Sequence, residues 1–405
     1  MDPQNQGRRW TRLIVPILAV AAVVTGLAVG ILAAQAAPRT GPSLDPGQVA
    51  GASASPGSPT PTPSPSPAPT PTPTPTPSPT PMPTPVTVPA PLTGLLVAPE
   101  VAAQHPIAVM VDDHGDARPQ SGFNAASVVW QAPAEGGIPR YMLVFQENLP
   151  EAVGPVRSAR YYYIAWAAEW RAVYVHSGGS PQALQTLRSK GNGQLVYNAD
   201  EFRWGKSFSR VKGRFAPHNL YTDGKRLRSL AKTLKATDEA MVPVWQFAPD
   251  ILPRLRPTGG RIDVAYSYNK IRYDYDRATN TYIRSVTGEK PQVDAATGDR
   301  VAPKNVVIML MRFGPLNDGS GKSRLEADVV GKGTAYIATN GTTIKGTWRK
   351  DSLTKPTIFF DADGARMTLT AGQTFVQVMQ TGTKVVLTPG IPPPPEPSTS
   401  EQHRQ

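Results

Sequence analysis

From Pro59 to Pro85 every second residue is proline. Proline lacks a backbone N–H and holds φ near −65°, so such a run builds neither a helix nor a sheet ladder. Thr and Ser fill almost all the intervening positions, a composition with nothing to bury in a core. Extended polyproline II is the conformation left to it. Segment 35–90 therefore reads as a stalk, and with Pro38 to Pro91 as linker, about 3.1 Å per residue gives a reach on the order of 165 Å. A disordered spacer of no tuned length is the plainer alternative, and O-glycosylation of the Thr and Ser positions is compatible with either. Ile391-Pro-Pro-Pro-Pro-Glu396, within 386–405, reads as a disordered tail.

Ahead of the stalk stand Arg8, Arg9 and Arg12, and then 22 residues from Leu13 to Ala34 without a charge. As a helix that run reaches roughly 33 Å, enough for a bilayer core of about 30 Å. The preceding arginines favour a cytoplasmic segment 1–12, a membrane anchor 13–34 and an extracytoplasmic remainder. A cleaved signal peptide is the competing reading, because Ala34-Gln35-Ala36 fits a small-x-small cleavage site. The apolar run exceeds the usual signal core of about 7–15 residues, which favours a retained single-pass anchor. The chain has no cysteine, so disulfides, thiolate metal sites, cysteine nucleophiles and a lipid-modified N-terminal cysteine are excluded. Lys and Arg number 42 against 30 Asp and Glu, a net +12 that attracts anionic lipid, wall polymer or nucleic acid alike.

Folded sequence begins near residue 91 and changes character near 250. In 91–250, Ile107–Val111 reads as a strand, Ser127–Gln131 and Tyr141–Gln146 as a strand pair, and Ser158–Trp170 as a helix. Val173–His176 then leads through a glycine turn into a helix over Gln182–Ser189, with Pro181 suited to its first turn. This predicts an α/β domain. Over 251–385 the pattern alternates, with Asn340-Gly341 and Asp363-Gly364 supplying turns, which predicts a mainly antiparallel β domain. The overall class expected is mixed α+β.

Pro91-Leu-Thr-Gly94, Ala117-Arg-Pro-Gln-Ser-Gly122, Gly154-Pro-Val-Arg-Ser-Ala-Arg160, Tyr174-Val-His-Ser-Gly-Gly-Ser180 and Ala216-Pro-His-Asn-Leu-Tyr221 resemble the YerB-like family of bacterial lipoproteins. Ala302-Pro-Lys-Asn-Val306, Gly346-Thr-Trp-Arg-Lys350 and Phe360-Asp-Ala-Asp-Gly364 resemble that family's C-terminal domain. The resemblance runs in order over 91–380 and implies an envelope location, but both family domains are of unknown function. The absence of a lipid-bearing cysteine departs from the family and points to the helix as anchor.

Polar residues gather beside the expected strand ends. Asp112, Arg118, Glu135, Arg140, Arg157, Ser158, Arg160, His176, Ser177 and His218 are the candidate ligand-binding set. Open α/β sheets bind ligands at strand ends. Arg157, Ser158 and Arg160 fall at the expected helix start, where free N–H groups and guanidinium forks suit a phosphate or carboxylate. Against this, the arginines are equally able to pair with Asp112, Asp116, Glu135 or Glu169 and staple loops, and a lone histidine at a strand end is more often structural. No cofactor and no metal site is expected, since the Asp112-Asp-His114 triplet lacks ligand spacing. No serine lies in a Gly-x-Ser-x-Gly elbow, Gly319-Ser-Gly-Lys-Ser323 lacks the spacing of a phosphate loop, and an extracytoplasmic chain seldom meets nucleic acid. Two functions remain. One is a non-catalytic module binding an anionic envelope ligand, such as a wall polymer or a lipid-linked precursor, or else a wall-assembly protein. The other is a transferase or hydrolase acting on a phosphorylated substrate, with Asp112 or Glu135 as acid or base.

Overall fold

The central strands read as unbroken apolar runs, Ile107–Met110 and Val306–Met309 among them, and each of these residues is fully buried. Such runs belong to strands covered on both faces. The computed structural model describes residues 86–394 apart from Glu289 and shows a mixed α+β fold made mostly of strands. The anchor 13–34, nearly all of the stalk and the end of the tail lie outside the described residues. Among the described residues no helix is long and apolar enough to cross a membrane.

One ten-stranded sheet organises the fold. In chain order its strands are β1 (Ile107–Asp112), β2 (Val128–Ala132), β3 (Arg140–Phe145), β4 (Val173–His176) and β5 (Tyr197–Asp200) from the first segment. A smaller sheet follows: β6 (Arg261–Ala265), β7 (Lys270–Asp276) and β8 (Thr281–Val286). The large sheet resumes with β9 (Asn305–Met311), β10 (Gly331–Thr339), β11 (Thr342–Lys350), β12 (Ile358–Phe360) and β13 (Thr374–Gln380), and β14 (Val386–Thr388) rejoins the smaller one. The large sheet runs β12-β11-β10-β9-β13-β2-β3-β1-β4-β5, and the small antiparallel sheet β8-β7-β6-β14. β13 is parallel to β9 on one side and to β2 on the other, with Val376 opposite Trp130 and Gln377 opposite Gln131. Segments 91–250 and 251–385 thus share one sheet, and the described residues fall in one compact unit. The second segment is not purely antiparallel, because β9 and β13 run together.

Side chains alternate between two cores, as the two-residue strand period requires. On one face Met110, Trp130, Met142, Val307 and Val376 pack under α1 (Tyr161–Ala167) and α2 (Pro181–Lys190). Trp130 stacks on Trp166 with ring centroids 4.7 Å apart. On the other face Val109, Leu143, Val175, Ile308 and Phe375 meet Leu227 and Leu230 of α3 (Gly224–Thr233) and Ile262, Ile271 and Tyr273 of the small sheet. Each such side chain removed from water contributes about 1.5–3 kcal/mol. α2 starts where Ser180 Oγ accepts the Ala183 N–H, and α3 where Asp223 Oδ1 accepts that of Arg226.

The helix expected from Ser158 starts later, at Tyr161, with Arg160 at its N-cap. Residues 154–160 lie extended across the strand ends instead: Arg157 N donates to Met110 O, Ser177 N to Arg157 O and Ala159 N to Gly178 O. Those bonds hold the backbone in a ladder-like conformation and keep it out of a helical turn. Tyr266 and Tyr268 fall in the turn between β6 and β7, and residues 277–280 form the turn between β7 and β8.

Candidate functional site

β1, β4 and β5 run parallel, and β3 runs against β1 with Arg140 opposite Asp112. The ends of β1, β4 and β5 therefore share one edge with the start of β3. The 154–160 segment adds Arg157 and Arg160 to that edge. Arg157 Nε lies 3.1 Å from Asp112 Oδ2, and His218 Nδ1 lies 2.7 Å from the same oxygen. Asp112 also accepts the His114 N–H at 3.1 Å.

Beside this group, Glu135 is ringed by guanidinium groups. Arg160 NH2 donates to Glu135 Oε2 at 2.6 Å, and Arg140 NH2 lies 3.5 Å from that oxygen. Arg160 Nε approaches Glu135 Oε1 to 2.5 Å, out of line for a hydrogen bond. Arg324, from the second segment, comes within 3.7 Å of Oε1 and also pairs with Asp318. Arg140 further donates to the Ser158 carbonyl at 2.8 Å, linking the two groups. Burial, then the neighbouring Arg160 and Arg157 charges against the opposing Glu135, push the Arg140 guanidinium down to about 10. For Glu135, burial pushes upward, but the hydrogen bond and charge of Arg160 and the charge of Arg140 hold the carboxyl below its usual range. An ionised Glu135 suits a structural counter-ion better than the acid of an acid–base pair. A cleft of ≈ 470 Å³ lined by Pro133, Gly136, Gly137, Phe313 and Ser323 opens beside this loop.

Not every expected residue joins. Arg118 turns away, donating to Asp113 Oδ1 at 3.0 Å and Asn269 Oδ1 at 2.6 Å. His176 is fully buried, with Nδ1 2.8 Å from Gly178 O and Nε2 2.8 Å from Asn198 Oδ1, so it ties β4 to its neighbours. Ser177 donates to Glu201 at 2.6 Å. Ser158 contributes its carbonyl, and no helix N-terminus stands behind Arg157. Glu169, weighed as an arginine partner, forms a buried pair with Lys350 at 2.8 Å.

The residues missed by sequence reading come mostly from the other segment. Arg324 and Asp318 flank the Gly319–Ser323 loop, which joins an antiparallel pair, Phe313–Leu316 with Arg324–Ala327. Between the two sheets lies a further polar group. Fully buried Arg284 donates to Tyr273 OH at 3.0 Å, Tyr141 OH at 3.2 Å, Gln131 Oε1 at 2.5 Å and Gln292. The rings of Tyr141, Tyr273 and Phe375 surround its guanidinium at 5.0–5.6 Å. Asp113 beside it accepts from Gln131 at 2.5 Å and Asn269 at 2.7 Å. Burial pushes the Asp113 carboxyl up to about 6, against the lowering charges of Arg118 and Arg284.

A sheet shared by two sequence segments, with a charged group at its strand ends, is the frame of a two-part family. Residues 92–237 match "Protein of unknown function (DUF3048) N-terminal domain" and residues 262–376 match the corresponding C-terminal domain. "Putative lipoprotein YerB" of Bacillus subtilis (strain 168) is 32% identical over 295 residues, covering 72% of this chain and 86% of that protein. The crystal structure of YerB protein from Bacillus subtilis matches with a TM-score of 0.65 at 27% identity, over 73% of this chain and 99% of that one. The chain belongs to this YerB-like family of uncharacterised proteins, as its motifs imply.

Proposed function

We propose that the protein is an extracytoplasmic module of the cell envelope, held at the membrane by segment 13–34, that binds a phosphorylated or carboxylated envelope molecule. The observation that carries this reading is a charge imbalance. Arg140, Arg157, Arg160 and Arg324 gather at one sheet edge around only three carboxylates, Asp112, Glu135 and Asp318. Guanidinium groups crowded this way repel one another, and an anionic group drawn in beside them relieves that repulsion. A cleft of ≈ 530 Å³ lined by Asp318, Lys322 and Arg324 is the approach this reading gives such a group. The name of the Bacillus relative supports an outer-surface location, and in a chain without cysteine the apolar run is the tether this reading uses. Within this reading the stalk carries the folded part away from the bilayer.

A catalytic version has one observation in its favour. Asp112 holds His218 by Nδ1 at 2.7 Å, the way a carboxylate orients a general base.

The test is to purify full-length protein in detergent, mix it with envelope extracts and identify what co-purifies by mass spectrometry, beside an Arg157→Ala, Arg160→Ala double variant. A phosphorylated or carboxylated molecule retained by the parent and lost by the variant is the expected result. Recovery of the same protein partners by both forms, with no such molecule, overturns it. Turnover of the captured molecule that stops in His218→Ala would favour the catalytic version.

A further inference from the structure

Next to the arginine group, two histidines and a carboxylate from separate loops meet beyond the end of β1. His114, Asp116 and His218 each present a ligand-capable atom, and these atoms all lie within 4.8 Å of one another. The His114 and His218 rings stack with centroids 4.8 Å apart and planes 16° from parallel. Tyr268, from the second segment, stacks against His114 at 5.8 Å and also lines a groove of ≈ 780 Å³. Arg214 holds the two loops together by donating to Asp116 O at 3.3 Å and Pro119 O at 2.7 Å.

We propose that His114, Asp116 and His218 form a binding site for a divalent transition-metal ion of the zinc class. Two imidazoles and one carboxylate suit a borderline ion, whereas calcium and magnesium favour all-oxygen sites. His218 is already oriented for the task. Its Nδ1–H donates to Asp112, which leaves the Nε2 lone pair for a metal, and carboxylates commonly position metal-binding histidines in this way. Asp112 is a positioning residue, fixed by Arg157 and by the His114 N–H. Metal bonds of about 2.0–2.2 Å require the three ligand atoms to draw together by about 1 Å. The His114 and Asp116 side chains are 33% and 77% exposed and have room to make that movement. Three protein ligands leave a coordination position open towards solvent.

The inference stands without the anion reading and departs from the sequence-based expectation of no metal, because His114 and His218 lie more than a hundred positions apart. The experiment is zinc titration by calorimetry, using full-length protein in detergent, chelator-treated and carrying no histidine tag. One ion per chain is expected, with affinity falling at least about 100-fold in His218→Ala and His114→Ala. Asp112→Asn is expected to lose about 10–100-fold through His218 orientation. Asp116→Asn, at an exposed position, separates ligand loss from unfolding: it keeps the melting temperature and still loses at least about tenfold. Arg160→Ala leaves zinc binding unchanged, so a failed anion reading and a failed metal site are distinguishable. Absence of saturable binding, binding that survives both histidine changes, or preference for calcium at these residues overturns the proposal.

Discussion

Arg284 and the Glu135 group both bury guanidinium charge, yet they reach balance by different means. Around Arg284 the neighbours are mainly dipoles and ring faces: Tyr141, Tyr273, Gln131 and Gln292 accept from it, with Asp113 nearby. None of its nitrogens is left without a partner. Around Glu135, Arg160 Nε and Arg324 Nε are buried without an aligned acceptor, and cations outnumber carboxylates. A charged group whose donors are all used inside the fold holds the fold together. One that leaves donors unaligned and cations in excess is where the anion-binding proposal is put to the test.

The sharpest way to break this contrast is Arg284→Ala. It strands Asp113 and Gln131 between the sheets, and a loss of about 3–5 kcal/mol is expected, read by urea unfolding. A cost below about 1 kcal/mol would show that the network is no structural keystone. Next comes pH. Asp113 is raised from an ordinary 3.8 to about 6 in the folded state, so the native chain binds the extra proton between those values. Its contribution to stability is therefore fully present below about pH 4 and lost as pH rises through 6. About two pH units at roughly 1.4 kcal/mol each give about 3 kcal/mol. Comparing urea midpoints of the parent and Asp113→Asn from pH 4 to 7 isolates this slope, and parallel curves would remove Asp113 from the account. The smallest effect is expected at Glu135→Gln, a cost of about 1–2 kcal/mol from the lost counter-charge. The same change leaves the arginines less neutralised, so affinity for inorganic phosphate should rise about tenfold in calorimetry. Unchanged or weaker phosphate binding would place this cluster with Arg284 as purely structural.

The sequence exposed the strand ends well and the connections between them poorly. Asp112, Arg140, Arg157, Arg160 and Glu135 were legible because each borders an apolar run or a glycine turn whose period is readable locally. His218 was legible as a residue but not as the partner of Asp112, since nothing in local periodicity reports a contact across 106 positions. Arg157 was placed at a helix start because Ser158–Trp170 carries helical spacing, while the bonds holding 154–160 extended come from Met110, Gly178 and Ser177, distant in sequence. Arg284 and Gln377 were invisible for a related reason. Each is a polar residue at a core position of a strand, and some of its partners come from another sheet or segment.

The place of β13 has a consequence for the order of assembly. The last strand to enter the large sheet occupies its middle, between β9 and β2. Until Thr374–Gln380 has been synthesised, β2 and β9 each present an unpaired, apolar edge, the kind of surface that templates aggregation. Closure of the sheet must wait for almost the whole folded sequence and bridges about 250 positions, a long loop to close and a slow step in folding. A nascent chain of this design therefore needs its early strands shielded until the final β-strand of the large sheet arrives to join the two halves.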